Sequence, residues 1–177
     1  RWLEERDSPE TGEWIEAQNE YTDAMIGSLP GREKLKQRLT ELLRIDWVGM
    51  PSVRNGRYFF SKRKRDQELP VIYMRKGLEG KDEVLIDPHP MSADRTTSVS
   101  ISAVSEDGTV MAYAVREGGQ DETTVRLLDV DKRKDLPDRL PKGRYYSHIS
   151  LKPDKSGFYY ARYRDDGSRI YYHAMGT

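Results

Sequence analysis

Cysteine is absent from the 177 residues, which excludes thiolate metal sites, disulfide frameworks and thiol catalysis. Long apolar runs are missing as well. None approaches the roughly 20 residues needed to span a bilayer, and no signal-like stretch opens the chain. The compartment stays open, with the cytoplasm expected ahead of the periplasm. Net charge is also lacking: 30 basic residues cancel 30 acidic ones, so no overall field recruits nucleic acid or an anionic membrane. Hydrophobic residues reach only 36% against 34% charged. Full disorder is nevertheless not expected, because 3 Trp, 11 Tyr and 3 Phe recur in short apolar runs. The chain opens on Arg1-Trp2-Leu3-Glu4 rather than Met, so either its start has been removed or it is a piece of something larger.

Catalytic signatures are scarce. No glycine opens a G-x-S-x-G nucleophile elbow, and there is no phosphate loop, dinucleotide fingerprint or H-E-x-x-H helix. His89, His148 and His173 lie far apart without metal-ligand spacing. His89 sits in the rigid turn Asp87-Pro88-His89-Pro90, where an exposed imidazole is expected, and His148 alternates along a strand, where a packed one is. Asp107 and Asp154 are explained by turn chemistry. No metal or organic cofactor is implied.

What the sequence does contain falls into two parts, residues 1–50 and 51–177. Ser8-Pro9-Glu10 carries a cap residue, proline at the first helical position and an acid in the first turn. Trp14, Ala17, Tyr21, Ala24 and Met25 follow at helical spacing, with Gly27 as a stop. A second helix fits roughly 33–44, with Leu35, Leu39, Leu42 and Leu43 on its buried side. Two short helices do not close a core, so these apolar faces need a partner.

After Pro51, short β-rich runs are broken by Gly, Asp and Asn. Asn55-Gly56, Asp107-Gly108 and Lys155-Ser156-Gly157 each precede an apolar run, with a further run behind it. The units repeat every roughly 40–50 residues, the signature of β-propeller blades. Nearly three blades are present, and propellers close with about four to eight, so the propeller reads as incomplete. Lys62-Arg63-Lys64-Arg65 is expected in a solvated hairpin loop. Tandem tyrosines at 145–146, 159–160 and 171–172 are read as core or blade-interface packing.

Trp2-Leu3-Glu4, Ser8-Pro9-Glu10-Thr11 and Glu16-Ala17-Gln18-Asn19 resemble the amino-terminal signature of the prolyl oligopeptidase family. The likeness continues through Arg57-Tyr58-Phe59-Phe60, Leu78-Glu79-Gly80, Leu85-Ile86-Asp87-Pro88, Ser105-Glu106-Asp107-Gly108 and Lys134-Asp135-Leu136-Pro137-Asp138. It covers the whole chain in order. The resemblance implies a mainly β fold: two helices that pack on an α/β-hydrolase domain outside this chain, then the first blades of a seven-bladed propeller. It implies a serine endopeptidase cutting short peptides after proline, with the propeller restricting access. The partners it implies are that catalytic domain, the remaining blades and short proline-containing peptides, with neither nucleic acid nor membrane. No triad residue falls in this chain, which is expected to be inactive alone. One position carries over: Tyr146, at the start of the third blade's inner strand, matches an aromatic that reaches the substrate cavity, with packing between blades as the other reading. The rival to the peptidase is a non-catalytic, propeller-derived binding module that self-associates.

Overall fold

Ser8 starts the first helix as its sequence demands. Its hydroxyl accepts from the Thr11 N–H at 3.1 Å, and Pro9 occupies the first helical position. The computed structural model describes residues 2–5 and 7–177, apart from the side chains of residues 145–148. Residues 1–45 form one compact unit and residues 46–177 a second.

In the first unit a short 3-10 turn, Trp2–Glu4, precedes helix α1, Pro9–Ile26. The Thr11 hydroxyl donates to the Trp2 carbonyl at 3.1 Å and accepts from the Ser8 hydroxyl at 2.9 Å, which buries Thr11. Trp2 and Trp14 meet edge to face with centroids 6.2 Å apart. Gly31, at φ 87, turns the chain into helix α2, Arg32–Leu43. The leucines expected on the buried side of α2 are exposed: Leu35, Leu39, Leu42 and Leu43 all face solvent. A pair of helices encloses too little volume to cover its own apolar stripes.

The second unit is three antiparallel meanders. In the first sheet, β1 (Trp47–Val48) and β2 (Ser52–Arg54) both pair with β3 (Arg57–Arg63), followed by β4 (Val71–Lys76) and β5 (Glu83–Ile86). The pairing of β1 with β3 draws residues 46–50 to the sheets, so the contact boundary precedes the composition shift at Pro51. The second sheet runs β6 (Ser98–Val104), β7 (Val110–Arg116), β8 (Thr123–Asp129) and β9 (Lys134–Gly143). The third runs β10 (Tyr145–Leu151), β11 (Gly157–Arg164) and β12 (Gly167–Ala174). Meanders of sequential neighbours repeated at this period are propeller blades, here in an open array of three.

Alternation along the strands divides the core. Phe59, Ile72 and Met74 of the first sheet pack with Met111, Tyr113, Val115 and Leu128 of the second. The opposite residues of the second sheet, Ala112, Val125 and Leu127, pack with Ile149 and Phe158 of the third. Strands β6, β7 and β8 of the middle blade thus serve two interfaces, and each large apolar side chain buried there contributes about 1.5–3 kcal/mol.

The turns refine the repeat. Arg54 pairs with Arg57 across Asn55 (φ 46) and Gly56 (φ 71), both left-handed, as a two-residue hairpin of this twist requires. In the second and third blades the turn is longer. Gly108 N–H bonds the Ser105 carbonyl and Lys155 N–H the Lys152 carbonyl, each at 2.9 Å. The third blade's equivalent of Gly108 is therefore Lys155 (φ 58), not Gly157, which opens β11.

Two other expectations change. Lys62 and Arg63 lie in β3 rather than a loop, and Lys62 pairs with Asp82 at 2.9 Å. Strand β9 was hidden by Pro137, Pro141 and its charges. These residues fit because β9 is the outer strand of its sheet, where proline need not donate.

Candidate functional site

Strand β2 of the first blade converges with β6 and β10, which open the second and third. Met50, Arg54, Ile101, Glu106, Ile149 and Leu151 border a cavity of about 450 Å³ there, with Phe59 beneath. Register shifts interrupt β6 between Ile101 and Ala103, and β10 between Tyr146 and Ser150. Gly49-Met50-Pro51 separates β1 from β2. Such irregularities re-aim side chains out of strict alternation. Tyr146 enters β10 opposite Ala161, but its side chain lies outside the described residues, as does that of His148.

The turns at one end of the blades are tied across sheets. The Arg57 guanidinium donates to the Gly108 carbonyl at 3.1 Å and to Asp131 at 2.7 Å. A Cβ at Gly108 would stand 3.1 Å from Arg57 Cδ and 3.2 Å from the Arg54 carbonyl. The Lys155 ammonium reaches Asp107 and, at 3.0 Å, the Thr109 hydroxyl. Lys155 and the Ser105 hydroxyl hold the Asp107 carboxyl well below the usual range, with the Thr109 N–H adding to them. Asp154, in the equivalent turn, is lowered to about 2 by the Ser156 N–H and hydroxyl and by Lys152. Turn chemistry and blade stapling account for both carboxylates.

Two histidine–aspartate pairs are present among the described residues. His89 Nδ1 lies 2.6 Å from Asp87 Oδ1, and the imidazole is largely covered rather than exposed, because the pair folds back on its own turn. His173 Nε2 lies 2.9 Å from Asp138 Oδ1, which also accepts the Gly176 N–H at 2.6 Å. The His173 ring stacks on Phe158 at 4.8 Å. Asp138 is buried, which pushes its carboxyl up, but His173 and the Gly176 N–H more than offset this and the net shift is downward. This pair joins β9 to β12 and was not legible beforehand, since nothing in the sequence couples positions so far apart.

Neither imidazole is hydrogen-bonded to a serine among the described residues, so no nucleophile–base pair is assembled there. No group of three His, Asp or Glu side chains that could hold a metal occurs among them either. Within the basic run Lys62 engages Asp82 at 2.9 Å, as Arg75 of β4 does at 2.6 Å, above the stacked rings of Phe60 and Tyr73. The arrangement can shape and border a space; among the described residues it has no machinery for acyl transfer.

Comparison with known proteins agrees with this division. A family model described as the prolyl oligopeptidase N-terminal beta-propeller domain matches residues 1–177. The prolyl endopeptidase of Elizabethkingia meningoseptica is 31% identical, over 100% of this chain and 26% of that protein. Prolyl oligopeptidase A of Galerina marginata is 27% identical, over 100% of this chain and 29% of that protein. A solved structure from a study of two prolyl endopeptidases superposes with a TM-score of 0.89 at 36% identity, over 100% of this chain and 28% of that one. Prolyl oligopeptidase B of Galerina marginata, bound to a 35mer hydrolysis and macrocyclization substrate, shares the fold at a TM-score of 0.80 and 22% identity, over 100% of this chain and 28% of that one. The chain spans about a quarter of the length of the curated relatives it matches.

Proposed function

Because this chain belongs to the prolyl oligopeptidase family, we propose that it forms the N-terminal part of a serine endopeptidase that cleaves short peptides after proline, its blades restricting access to the active site. The observation that carries this reading is the match of 100% of the chain to a prolyl endopeptidase structure at a TM-score of 0.89 and 36% identity. The chemistry would reside in an α/β-hydrolase domain outside this chain, through serine acylation, histidine general-base catalysis and an oxyanion hole. The helical unit would pack on that domain through Trp14, Leu35, Leu39 and Leu43, whose exposure leaves apolar surface to cover. Tyr146, at the start of β10, would line the substrate cavity.

The test is a serine-reactive phosphonate probe and a proline-containing fluorogenic peptide, applied to the chain alone and to a protein with the carboxy-terminal part restored. No labelling and no turnover are expected from the chain alone, and both from the restored protein. Stoichiometric labelling of one serine in the chain alone, with turnover abolished by its alanine variant, would overturn the reading. The rival, a non-catalytic module that self-associates, is favoured by one observation, the exposed Ile170 and Tyr172 on β12.

A further inference from the structure

The chain contains two asparagines, Asn19 and Asn55, and their surroundings are opposite. Asn19 lies inside α1 and is followed by Glu20, whose N–H is committed to the helix and whose side chain crowds its neighbour. Asn55 is followed by Gly56 at the tip of the β2–β3 hairpin, where both residues are exposed. The Gly56 carbonyl accepts the Gly77 N–H at 2.8 Å. The Gly56 N–H itself has no partner among the described residues, and neither has the Asn55 side-chain amide. A Cβ at Gly56 would meet no atom within 4 Å, so the tip has room to move. Arg54 and Arg57 flank it with positive charge, which favours loss of the Gly56 N–H proton.

The aspartates that precede glycine are held differently. Asp107 accepts from the Ser105 hydroxyl at 2.7 Å and the Thr109 N–H at 3.1 Å, and Lys155 keeps it ionised. The Gly108 N–H that follows is engaged by the Ser105 carbonyl at 2.9 Å. Asp166 is paired with Arg169. An ionised, hydrogen-bonded carboxylate is a poor acyl group, and an engaged N–H is a poor nucleophile. Asn55 combines a neutral, unbonded amide with a free neighbouring N–H.

We propose that Asn55-Gly56 is a self-modifying site, at which the chain converts Asn55 to aspartate or isoaspartate and so unties the first blade from the second. The deprotonated Gly56 nitrogen attacks the Asn55 side-chain carbonyl carbon. A C–N bond forms there, the C–N bond of the side-chain amide breaks, and ammonia leaves with the proton. Water then opens the succinimide ring, at the main-chain carbonyl to give isoaspartate or at the side-chain carbonyl to give aspartate. In sum water is consumed and ammonia released, with no oxidant or reductant. Either product sets a carboxylate close before Arg57, whose guanidinium holds the Gly108 carbonyl at 3.1 Å and Asp131 at 2.7 Å in the second blade. Isoaspartate also adds a methylene to the backbone of a loop that joins paired residues Arg54 and Arg57 with no slack. This inference rests on the turn alone and is independent of the peptidase reading.

The test is to age the chain beside a peptide of residues 52–58 at physiological temperature and mildly alkaline pH, with peptide mass spectrometry and enzymatic methylation of isoaspartate as readouts. The tip is expected to gain about 1 Da, with isoaspartate in excess and the rate rising with pH. Conversion should run up to about a hundredfold slower than in the peptide, because the hairpin must fray before the ring closes. Asn19 should stay intact. As Asn55 converts, amide exchange around Gly108 should quicken and the melting temperature fall. Asn55→Gly keeps a residue suited to the turn and removes the amide, so it should change in neither respect on ageing. An Asn55 that outlasts the peptide by more than about a hundredfold would show that the turn protects it, and overturns the proposal. So does conversion that leaves Gly108 exchange and the melting temperature unchanged, or an Asn55→Gly chain that ages at the wild-type rate.

Discussion

Residues 46–177 hide Phe59, Ile72, Met111, Leu127 and Phe158 completely, whereas in residues 1–45 the one buried residue among the described residues is the polar Thr11. Both segments carry regular apolar spacing, so pattern alone does not decide burial. The difference lies in what each segment can use as a cover. A blade presents an apolar face of period two, and the next blade presents a matching one, so the middle sheet is buried on both sides. Two helices of 18 and 12 residues have no such neighbour within their own unit. Their stripes persist as exposed leucines.

The sharpest way to break this comparison is to empty the sheet core. Phe59 sits at the first blade's interface with the second, and Phe59→Ala should destabilise the sheet unit by about 3–5 kcal/mol. Chemical denaturation followed by tryptophan fluorescence or circular dichroism measures it. A loss below about 1 kcal/mol would mean that the sheets do not share one cooperative core.

The second blade interface contains a buried carboxylate, Asp138. Asp138 is buried and bonded to His173 and the Gly176 N–H, so Asp138→Ala should cost about 1.5–3 kcal/mol near neutral pH, the usual range for hydrogen bonds to a charged group. The pH dependence has a definite sign. The Asp138 carboxyl is held below its ordinary value in the fold, so the unfolded chain takes up its proton first as pH falls. Stability from this group is therefore full above about pH 5 and is lost as pH drops toward the depressed folded value. Wild type should lose melting temperature on acidification more steeply than Asp138→Asn; parallel acid curves would remove Asp138 from the seam's titration.

Gly108 lies in the second blade's turn, where Arg57 of the first blade bonds its carbonyl. Its φ of 70 disfavours any side chain, and a Cβ there crowds Arg57 and the Arg54 carbonyl. Gly108→Ala should cost about 1–3 kcal/mol. The control is Gly118, also left-handed at φ 56 but with open space around it. Gly118→Ala should cost less, and equal losses at both positions would assign the effect to backbone conformation alone.

These contrasts show which parts of the fold were legible. Helix α1, from the Ser8 cap to Gly27, and the three-blade order followed from local signals, because caps and turns are written in adjacent residues. The turn repeat was misaligned at its third member, since Lys155 adopts a conformation that sequence assigns by default to glycine. Strand β9 was missed because edge strands tolerate the residues that rule out inner ones. The bonds from Arg57 to Gly108 and from His173 to Asp138 join residues far apart in sequence. No local pattern encodes such pairs; only the folded stacking of blades brings them together.

The smallest expected effect probes the helical unit. Leu39 lies mid-helix in α2, exposed beside Leu35 and Leu43. Leucine and alanine differ little in helix propensity, and an exposed leucine leaves no cavity when shortened. Leu39→Ala should therefore change the stability of the chain alone by no more than about 0.5 kcal/mol. In a protein where this face docks on a catalytic domain, the same change would empty a packed site and cost about 2–5 kcal/mol. Measuring both separates a face that has no role from one that awaits a cover. A loss above about 2 kcal/mol in the chain alone would show that residues 1–45 possess a core of their own, and the contrast between the two units would collapse. Near-zero losses in both proteins would leave that contrast intact but remove this face of α2 from the proposed contact with the catalytic domain.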